Sequence, residues 1–215
     1  MYLEHFQLKS QPFSEHAAVS ALWQDQRMDE GLARLDYLVQ CGQLGLVTGP
    51  SGVGKSALLK RFLHALQPQQ CQALYCHLTH LPCAGLLKLV VAQLGETPRR
   101  GKERLYEQIL ERATRAEGTL LLVFDEAHLL DGDALTDLRL LISSALDVRP
   151  PLKMLLVGQE PLRAILRQAR HADLLNRVSV RHQLRPLSRQ QTSRYIDFQL
   201  SQAGGDPQVF DDSVK

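Results

Sequence analysis

The sequence predicts an α/β fold of three layers, in which helices cover both faces of a central parallel sheet. Apolar runs at residues 44–48, 119–124 and 152–157 are continuous rather than alternating, which is typical of strands buried on both faces. Segments with helical spacing lie between these runs, as crossover connections between parallel strands require. A glycine-rich loop at residues 49–54 follows the first run and leads into a helix. In such sheets the ligand binds at the carboxyl ends of the strands.

Local signals set the bounds of the remaining elements. Residues 1–24 are predicted to form an irregular arm, because Pro12 pushes the residue before it out of the α region. Gly42 ends the first helix in the C′ position, and Ser188 with Gln191 forms a capping box that opens the last one. The predicted helices are residues 29–41, 55–66, 86–94, 103–117, 133–147, 161–168, 172–177 and 188–203. The other predicted strands are residues 71–79 and 178–184.

The pattern G-x-x-x-x-G-K-S stands between the first apolar run and a helix, and this context is that of a phosphate-binding P-loop. Its glycines let successive backbone N–H groups turn toward an anion, and the helix points its positive end at the same place. We expect Lys55 to reach the β- and γ-phosphates and the Ser56 hydroxyl to bind Mg²⁺. The residues predicted to bind the nucleoside triphosphate are Gly49, Pro50, Ser51, Gly52, Val53, Gly54, Lys55, Ser56 and Ala57.

Two adjacent acids, Asp125 and Glu126, follow the apolar run at residues 119–124. An acid at the tip of such a strand holds Mg²⁺ in P-loop NTPases, and we assign this role to Asp125. Glu126 is then placed to polarise the attacking water as a general base. The alternative is that both acids only cap the next turn. Together with the P-loop, the pair indicates hydrolysis.

Gln159 places an amide at the end of the next predicted core strand. There its side chain would contact the γ-phosphate or orient the water. The alternative is a turn residue that makes only backbone hydrogen bonds.

These motifs resemble those of the AAA+ ATPases, and more narrowly the ExeA- and GspA-like branch near the origin-recognition and transposition ATPases. The resemblance runs from Phe6 to about Ala203, and its more specific stretches are residues 124–128, 156–159 and 175–178. It implies ATP with Mg²⁺ as the nucleotide and a homo-oligomer, either ring or filament. The letters DEAH also occur in a helicase superfamily, but no Q-x-x-G-R-x-G-R motif follows, so a helicase is disfavoured.

The resemblance implies three further roles. Gln159 matches the sensor-1 position. Arg177 matches the arginine finger that reaches the γ-phosphate of a neighbouring subunit, so that hydrolysis would require oligomerisation. Arg181 is the alternative finger, and a purely structural role for Arg177 is the other alternative. Tyr195 would line the adenine pocket with residues of the arm near Phe13, and the alternative is a tyrosine that packs in the core.

Domain boundaries follow from the same resemblance. We expect an arm at residues 1–24, an AAA+ nucleotide-binding domain at residues 25–187 and the beginning of a helical lid at residues 188–215. The lid of this family supplies a sensor-2 arginine in a G-x-P-R context, and the sequence stops at Lys215 without one. We therefore expect the lid to be truncated.

Charge is unevenly distributed along the chain, whose formal net charge is +2. The segment from Pro161 to Ile196 holds eight arginines and one acid, Asp173, so it carries +7 and the remainder carries −5. Such asymmetry indicates an anionic partner, although solvated helix faces give the same pattern.

Three functions compete. The first is a transposition-helper ATPase resembling MuB, TniB or TnsC, which would assemble on double-stranded DNA and direct a transposase. The second is the ATPase module of a GspA- or ExeA-like secretion-pathway protein, with secretion-apparatus proteins as partners. The third is a nucleotide switch that does not hydrolyse ATP, which Glu126 disfavours because a switch does not need the second acid.

The remaining features of the sequence bear on metal binding and on the cellular compartment. Cys76, His77, His80 and Cys83 are zinc-ligand types, but their spacing fits neither common zinc pattern, and packed or partly exposed thiols are favoured. No apolar run approaches the ~18 residues of a membrane span, and the N-terminus lacks a signal-peptide pattern. We therefore expect a cytoplasmic location and reduced cysteines.

Overall fold

The computed structural model describes residues 2–14, 17–77, 82–143 and 152–210. The helices are α1 (Tyr2–His5), α2 (Gln26–Gln40), α3 (Lys55–Ala65), α4 (Cys83–Gln93), α5 (Lys102–Arg115), α6 (Gly132–Ser143), α7 (Pro161–Leu166), α8 (Ala172–Asn176) and α9 (Arg189–Gln202). The strands are β1 (Leu44–Thr48), β2 (Cys71–His77), β3 (Thr119–Asp125), β4 (Leu152–Gly158) and β5 (Val178–Gln183).

The five strands are parallel and lie in the order β2-β3-β4-β1-β5. Thr48 at the end of β1 pairs with Gly158 at the end of β4, and Phe124 of β3 pairs with Leu156 of β4. The carboxyl ends of these three strands therefore meet at one edge of the sheet. The predicted α/β fold with a central parallel sheet is confirmed.

Strand β3 shows why its sequence is apolar without alternation. Leu120, Leu122 and Phe124 pack into the core on one face of the sheet, and Leu121 and Val123 pack into the core on the other. Successive side chains of a strand point to opposite faces, so a strand covered by helices on both sides needs apolar residues throughout.

One predicted detail near α2 was wrong, and another was confirmed. The helix begins at Gln26 rather than at residue 29, because the side chain of Asp25 accepts a hydrogen bond from Met28 N at 2.9 Å and caps it earlier. Gly42 follows the C-cap residue Cys41 and so occupies the predicted C′ position, although its φ is not left-handed. Close packing requires a glycine at this position, since a Cβ there would lie 2.7 Å from Ser179 Oγ.

The arm and the last helix contact each other. The arm is not wholly irregular, because it contains α1 and a 3-10 turn at Val19–Ala21. Its Lys9 N–H donates to Ala203 O at 2.7 Å, just beyond α9. The capping box of α9 is confirmed, with Ser188 and Gln191 exchanging hydrogen bonds. The parts of predicted elements at residues 78–79 and 144–147 lie outside the described residues.

Candidate functional site

The P-loop connects β1 to α3 and has the backbone conformation that its glycines allow. Gly52 has a φ of +78° and Gly54 a φ of +100°, a left-handed region that favours glycine. A Cβ at Gly52 would meet no atom within 4 Å, so this part of the loop is open. An open loop of this kind leaves room for a ligand against the backbone.

Lys55 is the first residue of α3 and lies under this loop with 7% of its surface exposed. Its Nζ donates to Gly49 O at 3.0 Å and to Pro50 O at 2.7 Å. In the described part of the chain no carboxylate pairs with it. A buried ammonium bonded only to carbonyl oxygens fits a site for an anion such as a phosphate. Ser56 beside it is exposed.

Asp125 ends β3 with 3% of its surface exposed, and both carboxylate oxygens accept hydrogen bonds. Tyr75 of β2 donates its hydroxyl to Oδ2 at 2.6 Å, and Glu126 N donates to Oδ1 at 2.9 Å. Burial, the bond to Asp125 and the charges of both acids raise the pKa of Tyr75, so its hydroxyl stays a donor. Asp125 is thus held in a fixed orientation, as a metal-binding carboxylate requires.

Glu126 has a φ of +55°, an uncommon value for a residue with a side chain. Its Oε2 lies 3.2 Å from His128 Nδ1, and the same ring atom accepts from the Gln159 N–H at 3.4 Å. His128 belongs to a 3-10 turn, Ala127–Leu129, that follows β3. The backbone turn thus brings Glu126, His128 and Gln159 together, whereas their positions along the chain do not reveal this.

Arg177 lies at the opposite end of the sheet. It directly precedes β5, whose first residue, Val178, pairs with Leu44 at the start of β1. Arg177 is exposed, and its side chain has no hydrogen-bond or ion-pair partner among the described residues. The alternative finger, Arg181, is also exposed but donates to Leu175 O at 3.2 Å. The structure does not bring either arginine to the P-loop of its own chain.

Tyr195 of α9 lies in an aromatic cluster with the arm. Its ring centroid is 6.0 Å from that of Phe13 and 5.7 Å from that of Trp23, a residue that the sequence patterns did not single out. The cluster joins the arm to α9. Its role in binding adenine stays a prediction.

The cysteines considered for zinc have separate surroundings. Cys76 donates its thiol to Gln93 Oε1 at 3.2 Å, and Cys83 donates to Asp137. Burial raises the pKa of Cys76 to about 11 and that of Cys83 to about 12, which disfavours the thiolate that a metal needs. His80 lies outside the described residues.

The sequence reasoning missed Tyr75 and His128 as neighbours of the two acids. Tyr75 is paired with Val123 in the parallel register of β2 and β3, and its side chain reaches the end of the neighbouring strand. A polar side chain two residues before a strand end, beside a strand that ends in an acid, is the signal that would have found it. His128 was noted only as a letter of the DEAH pattern.

The P-loop after β1 and the two acids at the end of β3 meet at one edge of a parallel sheet, and this arrangement defines a P-loop ATPase. The family described as AAA domain matches residues 40–166. The chain belongs to this AAA family and is an ATP-hydrolysing enzyme.

Known proteins are similar to this chain in sequence or in fold. The chain is 33% identical over 211 residues to general secretion pathway protein A of Aeromonas hydrophila, and the match covers 95% of the chain and 38% of that relative. Cdc6p of Pyrobaculum aerophilum has the same fold, with a TM-score of 0.69 and 16% identity, over 87% of the chain and 52% of that protein. The ORC1 protein of Aeropyrum pernix in complex with DNA gives a TM-score of 0.67 and 16% identity, over 92% of the chain and 54% of that protein. The chain therefore spans less than two thirds of each.

Across the described residues, no helix is both long and apolar enough to cross a membrane.

Proposed function

We propose that the chain hydrolyses ATP with Mg²⁺ at a site that two neighbouring subunits complete. The observation that carries the nucleotide site is the buried Lys55 ammonium, whose only partners among the described residues are P-loop carbonyl oxygens. Phosphate oxygens would replace these carbonyls as its acceptors. Mg²⁺ bound by Ser56 and Asp125 would supply charge neutralisation at the phosphates.

The chain's own groups account for the other roles. Glu126 is the candidate base, because its carboxylate follows the buried strand that delivers Asp125. Gln159 follows β4 at the same edge, and among the described residues its side chain has no hydrogen-bond partner, so we assign it to the γ-phosphate or the water. Both residues belong to the edge where β1 leads into the P-loop.

Glu126→Gln tests this assignment. We expect the variant to bind ATP with the affinity of the unchanged protein and to hydrolyse it about 100-fold more slowly, because a positioned general base contributes about 10²–10⁴. Glu160→Gln is the matched control, since Glu160 lies near the same strand end but pairs with Arg163 and Gln183. Unchanged turnover of Glu126→Gln would remove the general-base role.

For the biological role, we propose the ATPase module of a GspA-like secretion-pathway protein. The identity to general secretion pathway protein A extends over nearly the whole chain, which supports this role more directly than any likeness of fold. Secretion-apparatus proteins would then be the partners of the assembly, with ATP hydrolysis driving its construction.

A transposition-helper ATPase on double-stranded DNA is the second candidate, and the arginine-rich segment favours it. Arg163, Arg167 and Arg181 line one depression beside α7, which concentrates positive charge on this face. Phosphates of a duplex would match such a surface. A transposase would be the further partner.

Fluorescence anisotropy of a labelled duplex separates the two roles. Glu126→Gln protein is titrated with and without ATP, from low to physiological salt. ATP-dependent binding that weakens with salt, and that Arg163→Ala with Arg167→Ala reduces, supports the DNA role. No binding in either state, with ATP affinity intact, favours the secretion role.

A further inference from the structure

Strand β5 leaves one of its two edges open. It is the last strand in the order β2-β3-β4-β1-β5, and among the described residues β1 is the only strand that pairs with it. Backbone groups of successive residues point to opposite sides of a strand, and the Leu184 N–H donates to Thr48 O of β1. The N–H groups of Arg181 and Gln183 therefore point away from β1. Such a row of unpaired donors can pair with a further strand.

Two arginines of α2 reach the same edge and bind its carbonyl oxygens. Arg34 Nη1 donates to Arg181 O. Arg27 Nη1 donates to Arg185 O at 2.5 Å. In the described part of the chain, no group outside the sheet accepts from the N–H of Arg181 or of Gln183. The edge thus presents donors to a partner, whereas arginine side chains occupy its acceptors.

A groove runs along α2 beside this edge. Its first part has a volume of about 320 Å³ and is lined by three arginines, Arg27, Arg34 and Arg185. Its second part, of about 370 Å³, also contains Arg34 and includes Tyr37, which is 53% exposed. The lining arginines outnumber the acids that pair with them, which are Asp25 and Glu30. The groove therefore combines positive charge with an exposed aromatic ring.

We propose that this groove binds an extended acidic peptide of a partner protein, which adds to β5 as a sixth strand of the sheet. The carbonyl oxygens of the peptide accept from the N–H groups of Arg181 and Gln183. Alternate side chains of a strand point to one face, so acids at every second position face α2 and pair with Arg27 and Arg34. An apolar side chain packs on Tyr37. This inference goes beyond the proposed function, since none of the residues assigned to hydrolysis lines the groove.

The charge and the spacing of the groove favour this occupant over others. A second copy paired through the same edge would bring two arginine-lined grooves together, and like charges across an interface are unfavourable. Backbone donors on every second residue match the carbonyl oxygens of an extended chain, which repeat about every 6.6 Å on one side. Nucleic acid would complement the charge but offers no such row of carbonyls. An acidic peptide matches both the charge and the backbone donors.

Fluorescence anisotropy with short labelled peptides tests the surface. The probe is a seven-residue peptide that alternates glutamate and valine, and we expect saturable binding that weakens as salt is added. A peptide with lysine in place of glutamate removes the charge complementarity. A peptide with alternate backbone amides N-methylated keeps the charges but cannot pair as a strand. We expect each control peptide to bind at least about tenfold more weakly, because main-chain hydrogen bonds and charge both contribute to the affinity.

Variants of the protein locate the site on β5 and α2. Arg34→Gln should weaken binding about fivefold, the upper range for an exposed ion pair. Arg104→Gln, at an exposed position of α5, should leave binding unchanged. Arg181→Pro and Arg181→Ala both lose the side chain, but only proline also removes the N–H donor. We expect the proline variant to bind about two- to tenfold more weakly than the alanine variant, the range of one hydrogen bond.

Circular dichroism and thermal unfolding establish that each variant is folded. If Arg181→Pro does not fold, the N-methylated peptide tests strand pairing by itself. No saturable binding of the probe, equal binding of the N-methylated peptide, or an unchanged affinity in Arg34→Gln overturns the proposal. Binding of labelled single-stranded DNA that depends on Arg34, without binding of the peptide, would assign the groove to nucleic acid instead. A dimer in light scattering that Arg181→Pro dissociates would assign the edge to a second copy.

Discussion

At the scale of single residues, Tyr75 is the side chain that fixes the candidate metal ligand. Its hydroxyl donates to Asp125 Oδ2 at 2.6 Å, while 41% of the tyrosine is exposed at the edge strand β2. A buried carboxylate left without this donor can turn away from the P-loop. Partners of this kind tune metal affinity without touching the metal.

We therefore expect Tyr75→Phe to raise, by about tenfold, the Mg²⁺ concentration needed for half-maximal binding of a fluorescent ATP analogue, because outer partners of metal ligands contribute 10–100-fold. The measurement is a Mg²⁺ titration at fixed nucleotide. Tyr37→Phe, at an exposed tyrosine of α2, serves as the control and should leave the midpoint unchanged. Equal midpoints for Tyr75→Phe and the unchanged protein would contradict the role.

The residues found from the sequence differ from those missed in one physical respect. Lys55, Ser56 and Asp125 belong to short motifs, in which the chemistry needs those residue types at fixed spacing. Tyr75 and His128 meet the acids only through strand register and a turn with a positive φ at Glu126. The register of β2 against β3 is a contact between segments about 45 residues apart, and a short motif in either strand does not specify it.

At the scale of elements, α2 packs on β5 through a glycine. A Cβ at Gly31 would lie 2.9 Å from His182 Nε2 and 3.0 Å from methyl carbons of Leu58. His182 is 5% exposed, and burial followed by the charge of Arg34 lowers its pKa, so the ring packs against α2 in its neutral form. Close approach of the two elements therefore requires a residue without a side chain.

We expect Gly31→Ala to lower the free energy of unfolding by about 1–3 kcal/mol, because overpacking outweighs the helix propensity of alanine. Chemical denaturation measures it. In a His182→Ala background the cost of Gly31→Ala should fall, since the nearest atom is gone. Additive effects of the two substitutions, within about 0.5 kcal/mol, would contradict direct contact.

The helices and strands also show how far local sequence patterns predict a fold. Continuous apolar runs predicted β1, β3 and β4, because only strands covered on both faces need them. Helix α2 was predicted to start three residues late, since its periodic apolar residues begin after the Asp25 cap. Strand order is not contained in such patterns, because pairing is decided by contacts between distant segments.

At the scale of the whole molecule, the candidate site and Arg177 lie at opposite ends of the parallel sheet. The P-loop follows Thr48, the last residue of β1. Arg177 precedes Val178 of β5, which pairs with Leu44, the first residue of β1. Strands of five or six residues span about 17–20 Å. Arg177 therefore does not reach the site of its own chain, and if it is the predicted finger it acts on the site of a neighbouring copy.

Mixed subunits test whether Arg177 acts on a neighbour. We expect Arg177→Ala to bind ATP normally and to lose hydrolysis by about 10³-fold, the effect of an arginine supplied in trans. Lys55→Ala subunits have a defective site but an intact Arg177. Mixing these two inactive variants should restore part of the turnover, because some interfaces then join an intact P-loop to an intact arginine. Arg189→Ala, at an exposed position of α9, should keep full activity alone. No recovery at any mixing ratio, with assembly intact by light scattering, would mean that Arg177 does not act across subunits.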